Sequence, residues 1–198
     1  MKKITSTDTL RIQRIAPGQY QTEKFPVLTY GPTPRIDIKE WKLEIFGEVE
    51  RKIVLDWDQF MNLPKVEVLA DFHCVTTWSR LDNRWEGVQF NELVKLAGVK
   101  PSTKFVMQHC YGGYTTNLPL DVMMDEDVLL ACRHDGEALP ADHGGPVRVI
   151  VPKRYAWKSA KWIRGIELMA NDREGFWERN GYSNSADQWN EERYWEEK

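Results

Sequence analysis

What this chain lacks narrows its identity first. Its 198 residues hold only three cysteines, Cys74, Cys110 and Cys132, and a sparse, odd set excludes a disulfide framework. No two of them lie at the spacing of a zinc finger or a redox pair. No apolar run approaches the ~20 residues that span a bilayer. Neither sign of charge dominates: 27 Lys+Arg against 30 Asp+Glu leave a net charge of −3, so no global pull toward nucleic acid or anionic lipid is expected. No hydrophobic segment follows Met1-Lys2-Lys3, so no secretion signal is read and the expected compartment is the cytoplasm. Internal repeats, low-complexity runs and linkers are also missing. With 41% hydrophobic residues, the expectation is one globular domain with a sizeable core.

What is present is a succession of short elements. Residues 1–24 are polar and aperiodic and read as an N-terminal arm. The domain proper is expected over 25–198, including a C-terminal tail that Trp177, Trp189 and Trp195 would pin down. Phe25 to Pro34 carries three prolines, which excludes a helix and predicts an extended segment lining a cleft. Trp41–Gly47 alternates apolar with charged residues as a half-buried strand does, and Ile53–Leu55 is its expected partner. Asp56 is a candidate cap for a short helix through Phe60 and Met61 that stops before Pro64. Strands are predicted at Val66–Phe72, Phe105–Gln108, Tyr114–Leu118, Val128–Cys132, Val147–Val151 and within Ala160–Leu168. A helix capped by Asn91 is predicted to run to Gly98, a helical turn to occupy Leu120–Met124, and a short helix to lie within Ser185–Glu197. The sum is an α+β, β-rich mixed single domain.

Two patterns carry possible chemistry. Histidine accompanies cysteine at His73-Cys74, at His109-Cys110 and at Cys132 with His134. Adjacent strand residues point to opposite faces, so His73 and Cys74 would not grip one zinc ion together. Cys74, at the mouth of a strand with Arg80 nearby, is a candidate reactive thiolate or soft metal ligand, with an inert buried cysteine as the bland alternative. The denser pattern is Asp142-His143-Gly144-Gly145-Pro146-Val147-Arg148, followed across a strand by Pro152 to Trp162. Arg148, Lys153, Arg154, Lys158 and Lys161 supply cations with no acidic residue from Val147 to Arg164. Interleaved glycines and aromatics favour a phosphate-binding pocket over a solvated basic face or a nucleic-acid track.

On these residues the chain resembles the sulfite oxidase superfamily. His143 to Pro152, then Lys158-Ser159-Ala160-Lys161-Trp162-Ile163, resembles its pterin-binding block. Asp127–Ala131 with Asp135-Gly136 and Leu139-Pro140 is similar to the stretch before it. His73-Cys74-Val75-Thr76-Thr77-Trp78-Ser79 resembles the molybdenum-cysteine segment of bacterial protein-methionine-sulfoxide reductases. The likeness covers about residues 25 to 182, in shared order and spacing. It implies a molybdopterin-binding oxidoreductase fold and a molybdenum-molybdopterin cofactor, with Cys74 as the metal's protein ligand. It implies further that Tyr30, Cys110, His143, Arg148, Ser159, Ala160 and Lys161 surround the cofactor, and that Tyr182 or Arg80 orients substrate. The implied reaction is two-electron oxygen-atom transfer on a small S-oxide, N-oxide or sulfite-like substrate, with a separate electron donor or acceptor protein. Leu28 stands where sulfite-oxidising members carry an arginine, so the substrate is left open. The alternatives are a non-catalytic binding module on the same fold and a Cys74 thiol enzyme.

Overall fold

The computed structural model describes residues 1–195. In chain order the strands are β1 (Lys2–Thr5), β2 (Tyr20–Gln21), β3 (Lys42–Gly47), β4 (Ile53–Asp56), β5 (Val66–His73), β6 (Trp78–Gln89), β7 (Phe105–Cys110), β8 (Thr115–Pro119), β9 (Leu129–His134), β10 (Glu137–Ala138), β11 (Arg148–Ile150) and β12 (Ile163–Met169). Three short helices join them: α1 (Trp57–Asn62), α2 (Phe90–Ala97) and α3 (Leu120–Met123). No helix among the described residues is long and apolar enough to cross a membrane.

The strands form two sheets. One runs β1-β5-β6-β9-β10, with β11 also paired to β9 and β2 to β6; the other runs β4-β3-β12-β7-β8. Alternation along each strand assigns its side chains to layers. On β3, Leu43 and Ile45 are fully buried between charged neighbours, and they pack with Val106, Ile166, Val88, Leu130 and Val149 in the main core. Leu129 and Ala131 of β9 face the other way, into a second cluster with Val68, Ala70, Phe72, Trp85 and Cys74. The first sheet is therefore apolar on both faces around β9, and its second cluster underlies the cleft described below. The predicted cap at Asp56 is a full capping box, with Gln59 N–H donating to Asp56 Oδ1 at 2.8 Å and the Gln59 side chain returning to the Asp56 N–H.

Four features differ from the sequence expectation. Two short strands form within the N-terminal arm, which read as aperiodic: β1 pairs parallel with β5 and β2 parallel with β6. β6 is a twelve-residue strand whose charged positions hid its period. Three of those charges are paired: Arg80 with Asp135, Asp82 with Arg14 and Glu86 with Arg133. The strand runs directly into α2, so Gln89 rather than Asn91 occupies the cap, and no side chain caps the helix. No helix forms over the described part of Ser185–Glu197; residues 196 and 197 lie outside the described residues. There Glu192 accepts from the Asp187 N–H, Asp187 accepts from the Trp189 N–H at 2.8 Å, and Ala186 and Glu191 take positive φ. Such local side-chain-to-backbone bonds compete with a helical ladder. Tyr194 instead bridges to Tyr182, closing the tail onto the domain.

Candidate functional site

β5 delivers Cys74 to the floor of a cleft that holds about 740 Å³ of empty space, part of it open to solvent. A tight turn follows: the Cys74 N–H donates to Trp78 O at 2.9 Å, and the Thr77 N–H donates to Cys74 O at 3.0 Å. Thr77 takes a φ of 75° to make it. The Cys74 side chain is 7% exposed. Burial pushes its thiol pKa up; hydrogen bonding from Thr76 and the charges of Lys161 and Arg148 pull the other way. His73, on the opposite face of β5, bonds Ser79 Oγ through Nδ1 at 2.7 Å and packs edge-on against Trp189. Burial lowers its pKa to about 4. Among the described residues, no three His, Cys, Asp or Glu side chains gather as a metal site.

The segment around β11 builds the rest of the wall. Arg148 is 2% exposed. Its guanidinium donates to His143 O and Ser159 O, each at 2.9 Å, and lies over the rings of Phe72 and Trp85. Its Nε is buried without a partner. Burial lowers its pKa to about 10. Lys161 Nζ donates to Asp142 O at 2.7 Å and to Leu28 O at 3.0 Å, and burial, with help from Arg148, lowers its pKa to about 7. Neither cation meets a carboxylate among the described residues. The His143 ring stacks on Phe25 at 4.1 Å with 11° between planes, and its Nδ1 is buried and unpartnered. Burial lowers its pKa, and the charges of Lys161, Arg148 and Arg80 add to the effect. Gly144 has a φ of +106°, and a Cβ there would stand 3.0 Å from both Arg148 and Lys161. Only glycine lets these two side chains flank the backbone so closely.

The remaining predicted residues divide. Tyr30, His143, Arg148, Ser159, Ala160 and Lys161 line the cleft with Cys74. Ser159 Oγ accepts from the Val151 N–H at 2.9 Å, and its carbonyl holds Arg148. Tyr182 stands one layer back, 4.8 Å from the Trp177 ring and 5.3 Å from Trp157, both of which line the cleft. The structure does not bring Cys110 or Arg80 to the cleft. Cys110 is 2% exposed within the main core, because β7 turns that face inward, and burial raises its pKa. Arg80 is drawn sideways to Asp135 at 2.7 Å and to Asn83 and His134. The run of cations also separates: Lys153 pairs with Asp125, and Lys158 is fully buried against Glu178 at 2.6 Å. The segment from Phe25, expected to line a cleft, does so, whereas sequence reasoning missed Trp157 as a wall and Gln108 as a support. Gln108 is fully buried, accepting from the Ala160 N–H at 3.2 Å and donating to Lys158 O at 2.9 Å. An amide inside an apolar strand was the available signal.

The cleft thus joins a buried thiol to a buried Arg148 and a half-buried Lys161 that lack counter-charges among the described residues, which is a donor set for a soft metal attached to an anionic group. The family description "Oxidoreductase molybdopterin binding domain" matches residues 30–177. The chain belongs to this family. It is similar to Uncharacterized oxidoreductase YuiH of Bacillus subtilis (strain 168), 44% identical over 91% of this chain and 92% of that one. It is 29% identical to the protein-methionine-sulfoxide reductase catalytic subunit MsrP of Campylobacter jejuni, over 71% of this chain and 52% of that one. The sulfane dehydrogenase SoxCD of Paracoccus pantotrophus shares the fold, with a TM-score of 0.67 and 23% identity over 75% of this chain and 42% of that one. The α+β molybdopterin fold and the molybdenum-molybdopterin cofactor inferred from the sequence hold, and the protein is a molybdenum-dependent oxidoreductase of the sulfite oxidase type. A non-catalytic binding module is not favoured.

Proposed function

We propose that Cys74 is the protein's ligand to molybdenum, and that Arg148, Lys161, His143 and the Ser159-Ala160 backbone hold the pterin and its phosphate while Tyr30 closes over them. One observation carries this reading: Arg148 is buried and Lys161 half-buried beside Cys74, with no carboxylate partner among the described residues. An uncompensated buried cation is unfavourable until an anion reaches it. His143 Nδ1 and Arg148 Nε, both buried and unpartnered, are further polar atoms awaiting a ligand.

When bound, the cofactor supplies a metal that changes oxidation level by two electrons while an oxygen atom passes to or from substrate. The chain's own contribution is binding, orientation and exclusion of water. Cys74, a soft sulfur donor, fixes the metal on a clamped turn. Arg148 holds its guanidinium fork rigid through two backbone carbonyls, so little order is lost when it meets an anion. Lys161 stands near its titration point and takes up a proton as an anion arrives.

The substrate reading is a small neutral S-oxide or N-oxide in preference to sulfite. The mouth of the cleft is walled by Tyr30, Trp157 and Trp177. Its cations, Arg148 and Lys161, already serve backbone carbonyls and the cofactor's phosphate. The residue we assign to orienting the oxide through its hydroxyl is Tyr182, which packs against the cleft-lining Trp157 and Trp177. Electrons pass to or from a separate protein partner. The test is a dye-linked screen of protein loaded with molybdenum. Turnover of neutral oxides, abolished in Cys74→Ser, supports the proposal; turnover confined to sulfite contradicts the substrate assignment.

A further inference from the structure

We propose that Thr76 is a positioning residue for the metal centre, acting through the sulfur of Cys74. The inference rests on Cys74 being the metal ligand. The Thr76 hydroxyl donates to Cys74 Sγ at 3.2 Å. Thr76 is itself exposed, so its hydroxyl could be satisfied by solvent and is not needed for packing. It nevertheless folds back onto the sulfur, because the turn that carries it is fixed from both ends of the chain. Gln19 donates its side-chain amide to Cys74 O at 3.1 Å, and Arg193 donates to Val75 O at 2.8 Å. Arg193 also lies over the Tyr155 ring at 5.0 Å, which anchors the clamp to the domain.

The consequence is electronic. A thiolate that accepts hydrogen bonds donates less charge to its metal, so the oxidised metal is stabilised less and reduction becomes easier. The Thr76 hydroxyl therefore tunes the potential of the site while touching neither metal nor substrate. A side chain with a merely structural part in the turn would not have this effect.

The test compares loaded wild-type enzyme with Thr76→Val and Thr76→Ser, with Thr76→Ala as a second variant lacking the hydroxyl. Molybdenum content, the potential of the metal and the sulfur-to-metal charge-transfer band are measured on each. Wild-type metal content is expected throughout. In Thr76→Val and Thr76→Ala, the equilibrium constant for reduction by a fixed donor should fall about fivefold, the size of one modest hydrogen bond. The charge-transfer band should move to lower energy. Thr76→Ser should restore both. Unchanged potential and band in the two variants without the hydroxyl would overturn the role of Thr76 while leaving Cys74 ligation standing. Wild-type protein that loads cofactor yet shows no sulfur-to-metal band from Cys74 would overturn the ligation itself, and this inference with it.

Discussion

Replacing Arg148 by methionine separates the demands of folding from those of cofactor binding. In the folded chain the guanidinium makes two hydrogen bonds to carbonyls, both at 2.9 Å. Charge-assisted bonds of this kind contribute roughly 1.5–3 kcal/mol each. Against them stands the burial of an uncompensated charge, which lowers its pKa to about 10 and costs on the order of 3 kcal/mol. Methionine keeps the length and the apolar contact with Phe72 and Trp85 and relieves that charge. The two effects largely offset, so cofactor-free Arg148→Met should be destabilised by no more than roughly 3 kcal/mol. Loaded protein has no such offset. There the anion neutralises the buried charge, and the variant loses roughly 3 kcal/mol of binding, about a hundredfold in cofactor affinity. Urea unfolding of the cofactor-free protein measures the first quantity, and molybdenum and pterin released during extended dialysis measure the second. Wild-type retention of the cofactor by a folded Arg148→Met protein would refute the assignment of Arg148 to the phosphate.

Other consequences follow from the same geometry. Lys161 titrates at about 7 in the folded chain against 10.5 as its ordinary value, so between these the unfolded chain binds a proton that the folded chain does not. Cofactor-free wild type should therefore gain stability over Lys161→Met as pH rises from about 7 to about 10, and a flat difference in paired unfolding curves would contradict this. Lys158→Met leaves Glu178 buried and unpaired, so it should lower stability by about 3–5 kcal/mol, seen as a marked fall in Tm, through loss of folding rather than loss of an anion contact. Gly144→Ala forces a side chain into a positive φ against Arg148 and Lys161; it should reduce cofactor retention more than Gly136→Ala, where the added Cβ meets open space at a similar φ. Tyr182→Phe should lower turnover of neutral oxides with little change in metal content, and unchanged turnover would make Tyr182 a packing residue only.

Much of the site was legible because its chemistry is local in the chain. The glycines, Arg148 and Lys161 lie within one stretch whose only interruption is a short strand, so their meeting required no long-range pairing. Cys74 was legible as the end of an apolar strand. The rest depended on tertiary partners. Lys158 reads as one more cation until Glu178, twenty residues on, is folded against it. Arg80 sits six residues from Cys74 yet is drawn off by Asp135. β6 was hidden because buried polar residues, Ser79 and Asn83, occupy inward positions and bond His73 and Ala70 O of β5, which breaks the apolar alternation that marks a half-buried strand. β1 and β2 are four and two residues long, too short for any period to register. The tail resembled a helix by composition, but its acidic and hydroxyl side chains bond the local backbone instead.

The central claim is that the Cys74 sulfur binds the metal. X-ray absorption at the molybdenum edge tests it most directly, because sulfur neighbours are counted at the metal itself. The account predicts three sulfurs in loaded wild type, two from the pterin and one from the chain, and two in loaded Cys74→Ser. The same sulfur count in both proteins would contradict it.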